Sequence, residues 1–360
     1  MTGRRWVRRG VALAVLAVVV EYGVLPLVGD VDGVLTAARG VALWWFVPGV
    51  VLEAVSIAAY AAYTRALLPV AVRPRFSRLV RIDLATWGAG HVIPGGPAGT
   101  AALRFRLLSA DGVDAADAAL LAGVQGVLSA MVLHVILWGA LVAAIVVHGP
   151  GGRLVALCVV LGVVAVVDVV LVTVAAARGG GRGTRLLHRI AARVPGLDAE
   201  RVDRRTQEIV RRLHHITRDR RQLGVAVGWA AANWLLDAAA LEMFLLALGH
   251  PVGVAGLLVA YGLANTLGVL PITPGGIGVV EGVLVPALVA FGGPAAPALI
   301  AVLGWRVVSF WLPIPAGGLS YLSLRVPRRT TGPDGPPPGG PGPRRRAGRG
   351  DQGRDVRAGR

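Results

Sequence analysis

The sequence contains no lysine, a single cysteine and only 20 acidic residues along its 360 positions. Because Cys158 has no partner thiol, an intrachain disulfide and any site built from several cysteines are excluded. Charged residues make up 16% of the chain, well below the roughly 25% of soluble domains. The hydrophobic fraction is 55%, which predicts a protein that lies in lipid.

Long apolar stretches recur along the chain, and each approaches or exceeds the roughly 20 residues that a spanning helix needs. We predict an all-α, polytopic integral membrane protein of about six spans. The first stretch follows an arginine-rich start, as in a signal peptide, but it continues far enough to favour an uncleaved span. The predicted spans are 11–28, 41–64, 118–148, 154–177, 223–248 and 295–324.

The formal net charge of +17 comes entirely from arginines, which lie in blocks between the apolar stretches. In a membrane protein such blocks indicate the cytoplasmic side and attraction to anionic lipid headgroups, so we do not predict nucleic-acid binding. The blocks at the N-terminus, at 65–81 and in the C-terminal tail place both termini in the cytoplasm of an inner-membrane protein.

The predicted organisation is one transmembrane domain over residues 1–325 and a disordered, basic cytoplasmic tail over 326–360. Within the domain, the segment 178–222 carries thirteen arginines against five acidic residues. Its apolar positions recur at helical spacing, which is typical of an amphipathic helix on the cytoplasmic membrane surface. An ordinary solvated helix is the alternative.

Two segments interrupt the apolar pattern with similar motifs, Ile93-Pro94-Gly95-Gly96 and Thr273-Pro274-Gly275-Gly276. Broken helices at membrane depth are tolerated only where protein or a water-filled cavity surrounds the freed backbone groups. The repetition predicts two re-entrant helical hairpins in inverted halves, the first entering from the cytoplasm and the second from outside. The alternatives are turns outside the membrane and, for the second segment, two short spans.

A pair of broken helices is also how many transporters build a substrate site, because half-helix N-termini offer free N–H groups and partial positive charge to an anion. Ionisable residues within apolar runs cost about 2.5–3.5 kcal/mol each and are functional candidates by default. The predicted substrate-binding residues are Pro94, Gly95, Gly96, Arg104, Pro274, Gly275, Gly276, Glu281 and Arg306.

The other ionisable residues in apolar runs receive weaker roles. We interpret His134, Asp168 and Asp237 as groups that hold helices together, and Asp83 and His91 as interfacial groups. Glu281 and Arg306 are predicted to form a charge pair, because Arg306 lies about 16 Å into its apolar stretch and Glu281 follows the second break by one to two turns.

The second motif, from Pro271 to Gly282 with Trp305-Arg306 and Phe310-Trp311 downstream, resembles the lysylphosphatidylglycerol synthase transmembrane family. This is the flippase-like membrane region of the multiple peptide resistance factor. The segment from His91 to Arg104 matches the looser first motif of that family, except that Gly99-Thr100-Ala101-Ala102 stands where an acidic residue is often found.

The resemblance implies translocation of a phospholipid or a polyprenyl-linked lipid, with aminoacyl transfer left to a separate soluble domain for which we expect no room here. We therefore predict a lipid transporter that is not an enzyme and has no cofactor or metal. Two alternatives stay open. One is a membrane enzyme that uses a polyprenyl-phosphate sugar donor, with Glu281 or Glu53 as its carboxylate. The other is a non-transporting partner of a lipid synthase or glycosyltransferase. The lipid, its direction, the energy source and a homo-oligomeric state stay open as well.

Overall fold

The computed structural model describes residues 43–92, 96–177, 219–269 and 273–325. These ranges are helical apart from turns and short connections, and they contain no strand, so the all-α prediction is confirmed for them. The predicted first span, most of the segment 178–222 and the tail 326–360 lie outside the described residues.

The described ranges contain ten α-helices. They are α1 (Phe46–Leu67), α2 (Phe76–Val92), α3 (Gly96–Ala110), α4 (Ala115–His148), α5 (Gly152–Ala177), α6 (Arg220–Ala247), α7 (Val254–Gly268), α8 (Val279–Ala290), α9 (Ala295–Arg306) and α10 (Pro313–Arg325). A π-helical turn, Val307–Trp311, connects α9 to α10, and the two helices form one segment of 31 residues.

Four of the described segments are long and apolar enough to cross a membrane: Phe46–Leu67, Gln125–His148, Arg220–Ala247 and Ala295–Arg325. Their bounds follow those predicted at 41–64, 118–148, 223–248 and 295–324. The stretch predicted at 154–177 is also helical, as α5 (Gly152–Ala177). The chain is therefore a multi-pass membrane protein, whereas the count of six spans and the side of each loop stay predictions.

The second predicted interruption is present as two helical arms around an irregular turn. Helix α7 ends at Gly268, a 3₁₀ turn covers Pro274–Gly276, and α8 begins at Val279. With 15 and 12 residues, the arms are about 22 and 18 Å long, shorter than a hydrocarbon core of about 30 Å. This length favours a hairpin over two spans, although re-entry into the membrane stays a prediction.

The first interruption has a similar layout. Helix α2 ends at Val92 and α3 begins at Gly96, with the break at 93–95 outside the described residues. The arms of 17 and 15 residues are about 26 and 22 Å long. Both halves therefore contain an arm, a break and an arm, as the repeated motif predicts, and the inverted relation between the halves stays a prediction.

The packing of α2 against α10 positions the end of α2, which precedes the first break, near the second break. The two helices approach backbone to backbone at Gly88 and Gly317, since a Cβ on Gly317 would lie 2.6 Å from the carbonyl oxygen of Leu84. Small residues allow such close contact between helices in membranes. The same packing sets α2 against the 3₁₀ turn at Pro274–Gly276.

Candidate functional site

The predicted charge pair beside the second break is present. Arg306 Nε donates a hydrogen bond of 2.6 Å to Glu281 Oε1, and Arg306 is 8% exposed. Arg306 is the last residue of α9, and Glu281 lies in the first turn of α8. The pair therefore connects the segment after the break to the final membrane-crossing segment.

Glu281 also fixes the local backbone of the break. Its Oε2 accepts a hydrogen bond of 2.7 Å from the backbone N–H of Gly278, which caps the N-terminus of α8. A carboxylate in this position complements the positive end of the helix. One N–H group that the sequence analysis offered to an anion is therefore occupied by the protein's own carboxylate.

The glycines of the break are required by its backbone conformation. Gly275, Gly276 and Gly278 have φ angles of 61°, 69° and 81°, in the left-handed region that side chains with a Cβ rarely adopt. A Cβ on Gly275 would also overlap the ring of Phe310. The carbonyl oxygen of Gly275 accepts a long hydrogen bond of 3.4 Å from Arg306 Nη2, so the turn itself helps to orient the guanidinium.

Aromatic rings cover the guanidinium of Arg306. Its Cζ lies 4.6 Å from the centroid of the Phe310 ring and 5.9 Å from that of Trp305. Rings at these distances stabilise a cation and shield it from water. Within the described part of the chain, Arg306 has one carboxylate partner, and its Nη1 donates no hydrogen bond. The guanidinium is thus partly coordinated and partly available.

His91 brings the end of α2 to the second break. It stands at the end of α2, just before the first break, and its ring centroid lies 4.2 Å from that of Phe310. Its Cδ2 atom lies 3.5 Å from where a Cβ on Gly275 would be. Its Nδ1 is buried and has no hydrogen-bond partner in the described ranges. The sequence analysis placed His91 at a membrane interface and did not connect it with Gly275.

Arg104 lies in a different cluster. It pairs with Asp83, a fully buried residue on α2, and its Nη2 donates a hydrogen bond of 2.8 Å to Thr64 Oγ1. Its Nη1 donates a weaker hydrogen bond of 3.3 Å to the hydroxyl of Tyr60. Thr64 in turn donates a hydrogen bond of 2.8 Å to Asp83. Every described contact of Arg104 is to this cluster, which holds α1, α2 and α3 together.

The structure therefore brings together part of the predicted site. Gly275, Gly276, Glu281 and Arg306 lie around one turn, and Arg104 lies elsewhere. Pro94 and Gly95 are outside the described residues, and for Gly96 and Pro274 only the helical backbone is described. The residues that sequence reasoning missed at this site are His91 and Phe310.

The predicted helix-packing role of three other polar residues is confirmed. His134 on α4 pairs with Asp168 on α5. Asp237 on α6 accepts hydrogen bonds of 2.6 Å from the hydroxyl of Tyr261 on α7 and from Nε1 of Trp305 on α9. Among the described residues no group of three or more His, Cys, Asp or Glu side chains could hold a metal ion.

Comparison with known proteins agrees with these features. A UPF0104 membrane protein of Methanothermobacter thermautotrophicus is 30% identical over 97 residues, which are 27% of this chain and 29% of that relative. The chain therefore aligns with less than a third of this curated relative's length. A much longer match, over residues 10–317, is to the model of the lysylphosphatidylglycerol synthase TM region. Because that match covers most of the chain, this protein belongs to the lysylphosphatidylglycerol synthase transmembrane-region family.

Proposed function

We propose that this protein moves a lipid with an anionic headgroup across the cytoplasmic membrane without making or breaking covalent bonds. The cargo class is a phospholipid or a polyprenyl-linked lipid. The observation that carries the proposal is that the end of α2 and the second break meet beside Arg306, a buried cation with a single carboxylate partner in the described residues. A substrate site between broken helices of two halves is a recurring design of transporters.

The headgroup would bind Arg306 as a phosphate binds an arginine. A planar guanidinium offers several N–H donors, and charge-assisted hydrogen bonds to phosphate are about twice as strong as neutral ones. In the structure, Glu281 accepts a hydrogen bond from Nε of the Arg306 guanidinium. A lipid phosphate would therefore share or replace this carboxylate, and its acyl chains would stay in the surrounding lipid.

The rival enzyme is not favoured by the positions of its two candidate carboxylates. An acid–base or nucleophilic carboxylate must reach its substrate. Glu53 is 1% exposed, and Glu281 is engaged by Arg306 and by the backbone of Gly278. An association with a lipid synthase, with a glycosyltransferase or with further copies of this chain is compatible with the transport proposal and is part of it only as an expectation.

The test is lipid translocation by purified protein in phosphatidylcholine vesicles that contain a small share of fluorescent phosphatidylglycerol. Arg306→Gln removes the proposed headgroup ligand, a loss of about 1.5–3 kcal/mol that should slow translocation about tenfold to a hundredfold. Arg78→Gln is the matched control, because Arg78 pairs with Asp111 at the turn after α3, away from the break. Equal rates for Arg306→Gln and wild-type protein would refute the proposed site.

A second experiment separates transport from lipid synthesis. Membranes that contain the protein are incubated with charged transfer RNA and phosphatidylglycerol, and the lipids are extracted. We expect no aminoacylated lipid that depends on this chain. The appearance of such a product would overturn the transport proposal in favour of an enzyme.

A further inference from the structure

Two carboxyl groups face each other inside the helix bundle, at the contact between α1 and α6. Glu53 on α1 is 1% exposed and Asp237 on α6 is 7% exposed. Each acid contributes to the electrostatic environment of the other. One turn away, Ser56 and Asn233 fix the register of the two helices with hydrogen bonds of 2.8 to 3.1 Å. The two acids are therefore held opposite each other.

The partners of the two acids are unequal. Both oxygens of Asp237 accept hydrogen bonds of 2.6 Å, one from the hydroxyl of Tyr261 and one from Nε1 of Trp305. Neither oxygen of Glu53 receives a hydrogen bond from a donor in the described part of the chain. Donors stabilise the ionised form of a carboxyl group, so Asp237 is equipped to be a carboxylate and Glu53 is not.

A hydrogen bond between the carboxyl groups of Glu53 and Asp237 requires a proton on one of them. Two carboxylates have no donor between them, and like charges in a buried site cannot both ionise. A protonated Glu53 supplies the missing donor, because its hydroxyl can donate to Asp237. The arrangement then satisfies both side chains with one negative charge, which lies on Asp237 and is stabilised by Tyr261 and Trp305.

The pair is close to the proposed headgroup site. Trp305 donates to Asp237 and is the neighbour of Arg306 in α9, and the guanidinium of Arg306 lies 5.9 Å from the Trp305 ring. Asp237 and Arg306 also interact electrostatically. A change of charge on the two acids therefore changes the electrostatic potential at Arg306, the residue that we propose binds the phosphate.

We propose that Glu53 and Asp237 form a proton-binding site whose proton is exchanged during the transport cycle, so that lipid movement is coupled to proton movement. This inference rests on the proposed lipid transport. Loss of the proton would put a second negative charge beside Arg306 and weaken its hold on a phosphate. By thermodynamic reciprocity, a bound phosphate favours the protonated pair. Lipid and proton should therefore travel in the same direction.

Other titratable groups near this path have to be separated from the pair. Tyr261 and Arg306 face Asp237 from α7 and α9, and Glu281 lies beyond Arg306. His91 contacts Phe310 and interacts electrostatically with Arg306. A pH response that originates from His91 would survive the loss of Glu53, and a response of the pair would not. Glu242, on α6 but outside the pair, is the matched acid for a control.

The variant of choice is Glu53→Gln. A glutamine amide can donate to Asp237 as a protonated glutamic acid would, so the helix contact is retained while the exchangeable proton is lost. Asp237→Asn is less suitable, because an asparagine cannot accept from Tyr261 and Trp305 with both of its terminal atoms. Glu242→Gln makes the same chemical change elsewhere on α6.

The first measurement detects the proton directly. Infrared spectra of the full-length protein in phosphatidylcholine vesicles are compared for the carbonyl stretch of a protonated carboxyl group. We expect one band that Glu53→Gln removes and that Glu242→Gln leaves in place. If Glu53→Gln removes no such band, the pair holds no proton and the proposal is overturned, whatever the transport results.

The second measurement tests coupling with the same vesicles, fluorescent phosphatidylglycerol and a clamped membrane potential. One proton per lipid allows a pH difference of one unit to sustain up to about a tenfold ratio of the lipid between leaflets. We expect accumulation with wild-type and Glu242→Gln proteins, and equilibration without accumulation with Glu53→Gln. Wild-type translocation that ignores the gradient would overturn the coupling and leave the proposed function standing. A wild-type protein that moves no lipid would refute the proposed function, and the coupling would fall with it.

Discussion

The two partners of the Glu281–Arg306 pair should not be equally costly to remove. In Arg306→Gln protein, Glu281 keeps the hydrogen bond from the Gly278 N–H, and it still faces the positive N-terminal end of α8. Its side chain is also 20% exposed. In Glu281→Gln protein, Arg306 is left 8% exposed among aromatic rings without a counter-charge. Glutamine can still cap Gly278, so the loss in that variant is mainly the uncompensated cation.

The magnitudes follow from this inequality. Removing one partner of a buried pair costs about 3–5 kcal/mol, and we expect Glu281→Gln to fall in that range. Losing a charged hydrogen bond from a carboxylate that keeps other partners costs about 1.5–3 kcal/mol, which is the expectation for Arg306→Gln. The double variant should cost less than the sum, with a coupling energy of about 2 kcal/mol.

The assay is reversible unfolding in mixed micelles, with the free energy of unfolding measured for the wild type, both single variants and the double variant. His134 and Asp168 provide a comparison cycle, because this pair joins α4 and α5 rather than α8 and α9. Equal costs for Glu281→Gln and Arg306→Gln, or additive effects in the double variant, would refute the argument that α8 stabilises Glu281 independently of Arg306.

A charge-swapped double variant, Glu281→Arg with Arg306→Glu, tests the same pair. An arginine at position 281 could pair with a glutamate at position 306. It could not accept the hydrogen bond that Gly278 donates to Glu281. The swapped protein should therefore recover only part of the lost stability, and it should not translocate lipid, because the cation no longer stands at position 306.

Three further expectations concern the breaks and the topology. Gly275→Ala should cost about 1–2 kcal/mol from its positive φ alone and slow lipid translocation, whereas Gly224→Ala, at a helical site with open space, should be neutral or slightly stabilising in an unfolding assay. Asp83→Asn should destabilise the fold by about 3–5 kcal/mol because it leaves Arg104 without its counter-charge, and the folded fraction should still move lipid. In a Cys158→Ala background, impermeant thiol reagents should label the first two of four single-cysteine positions from the cytoplasm and the last two from outside, and external labelling of the second would contradict the re-entrant first segment. The four positions are Arg75, Gly112, His250 and Gly293.

Much of the secondary structure could be predicted because it depends on local pattern. The long apolar runs gave helices whose ends differ by a few residues from those expected. The break at Thr273-Pro274-Gly275-Gly276 was predictable because glycines there adopt backbone angles that other residues avoid. The Glu281–Arg306 pair followed from the cost of isolated charge in an apolar stretch.

The same reasoning could have found the partner of Arg104. Asp83 and Arg104 have opposite charges and lie on the two arms of the first broken segment, and the structure pairs them. Assigning Asp83 to a membrane interface concealed this relation. The free-energy cost of an isolated charge in an apolar segment predicts a pair between Asp83 and Arg104 as strongly as it does between Glu281 and Arg306.

The meeting of His91 with the second break could not be predicted in this way. It depends on the packing of α2 against α10, which are separated by more than half of the chain. The close approach of Gly88 and Gly317 allows that packing. A glycine in an apolar helix does not show, from sequence alone, which other helix it packs against. Phe310 lies in a π-helical turn and contacts His91, and the pattern of apolar residues does not predict this turn either.

The repeated motif predicts equivalent roles for the two halves, and the placement of the arginines argues against equivalence. Arg104 is enclosed by Asp83, Thr64 and Tyr60, so an anion that approached it would have to separate a carboxylate from its cation and its hydroxyl together. Arg306 needs to release Glu281 and a long hydrogen bond to the Gly275 carbonyl oxygen, and Glu281 keeps its hydrogen bond from the break while the cation turns to a phosphate. Exchange of one anion for another is thus cheaper at Arg306. On the transport proposal, the first half would then bring His91 and α2 against Arg306, rather than provide a second anion site.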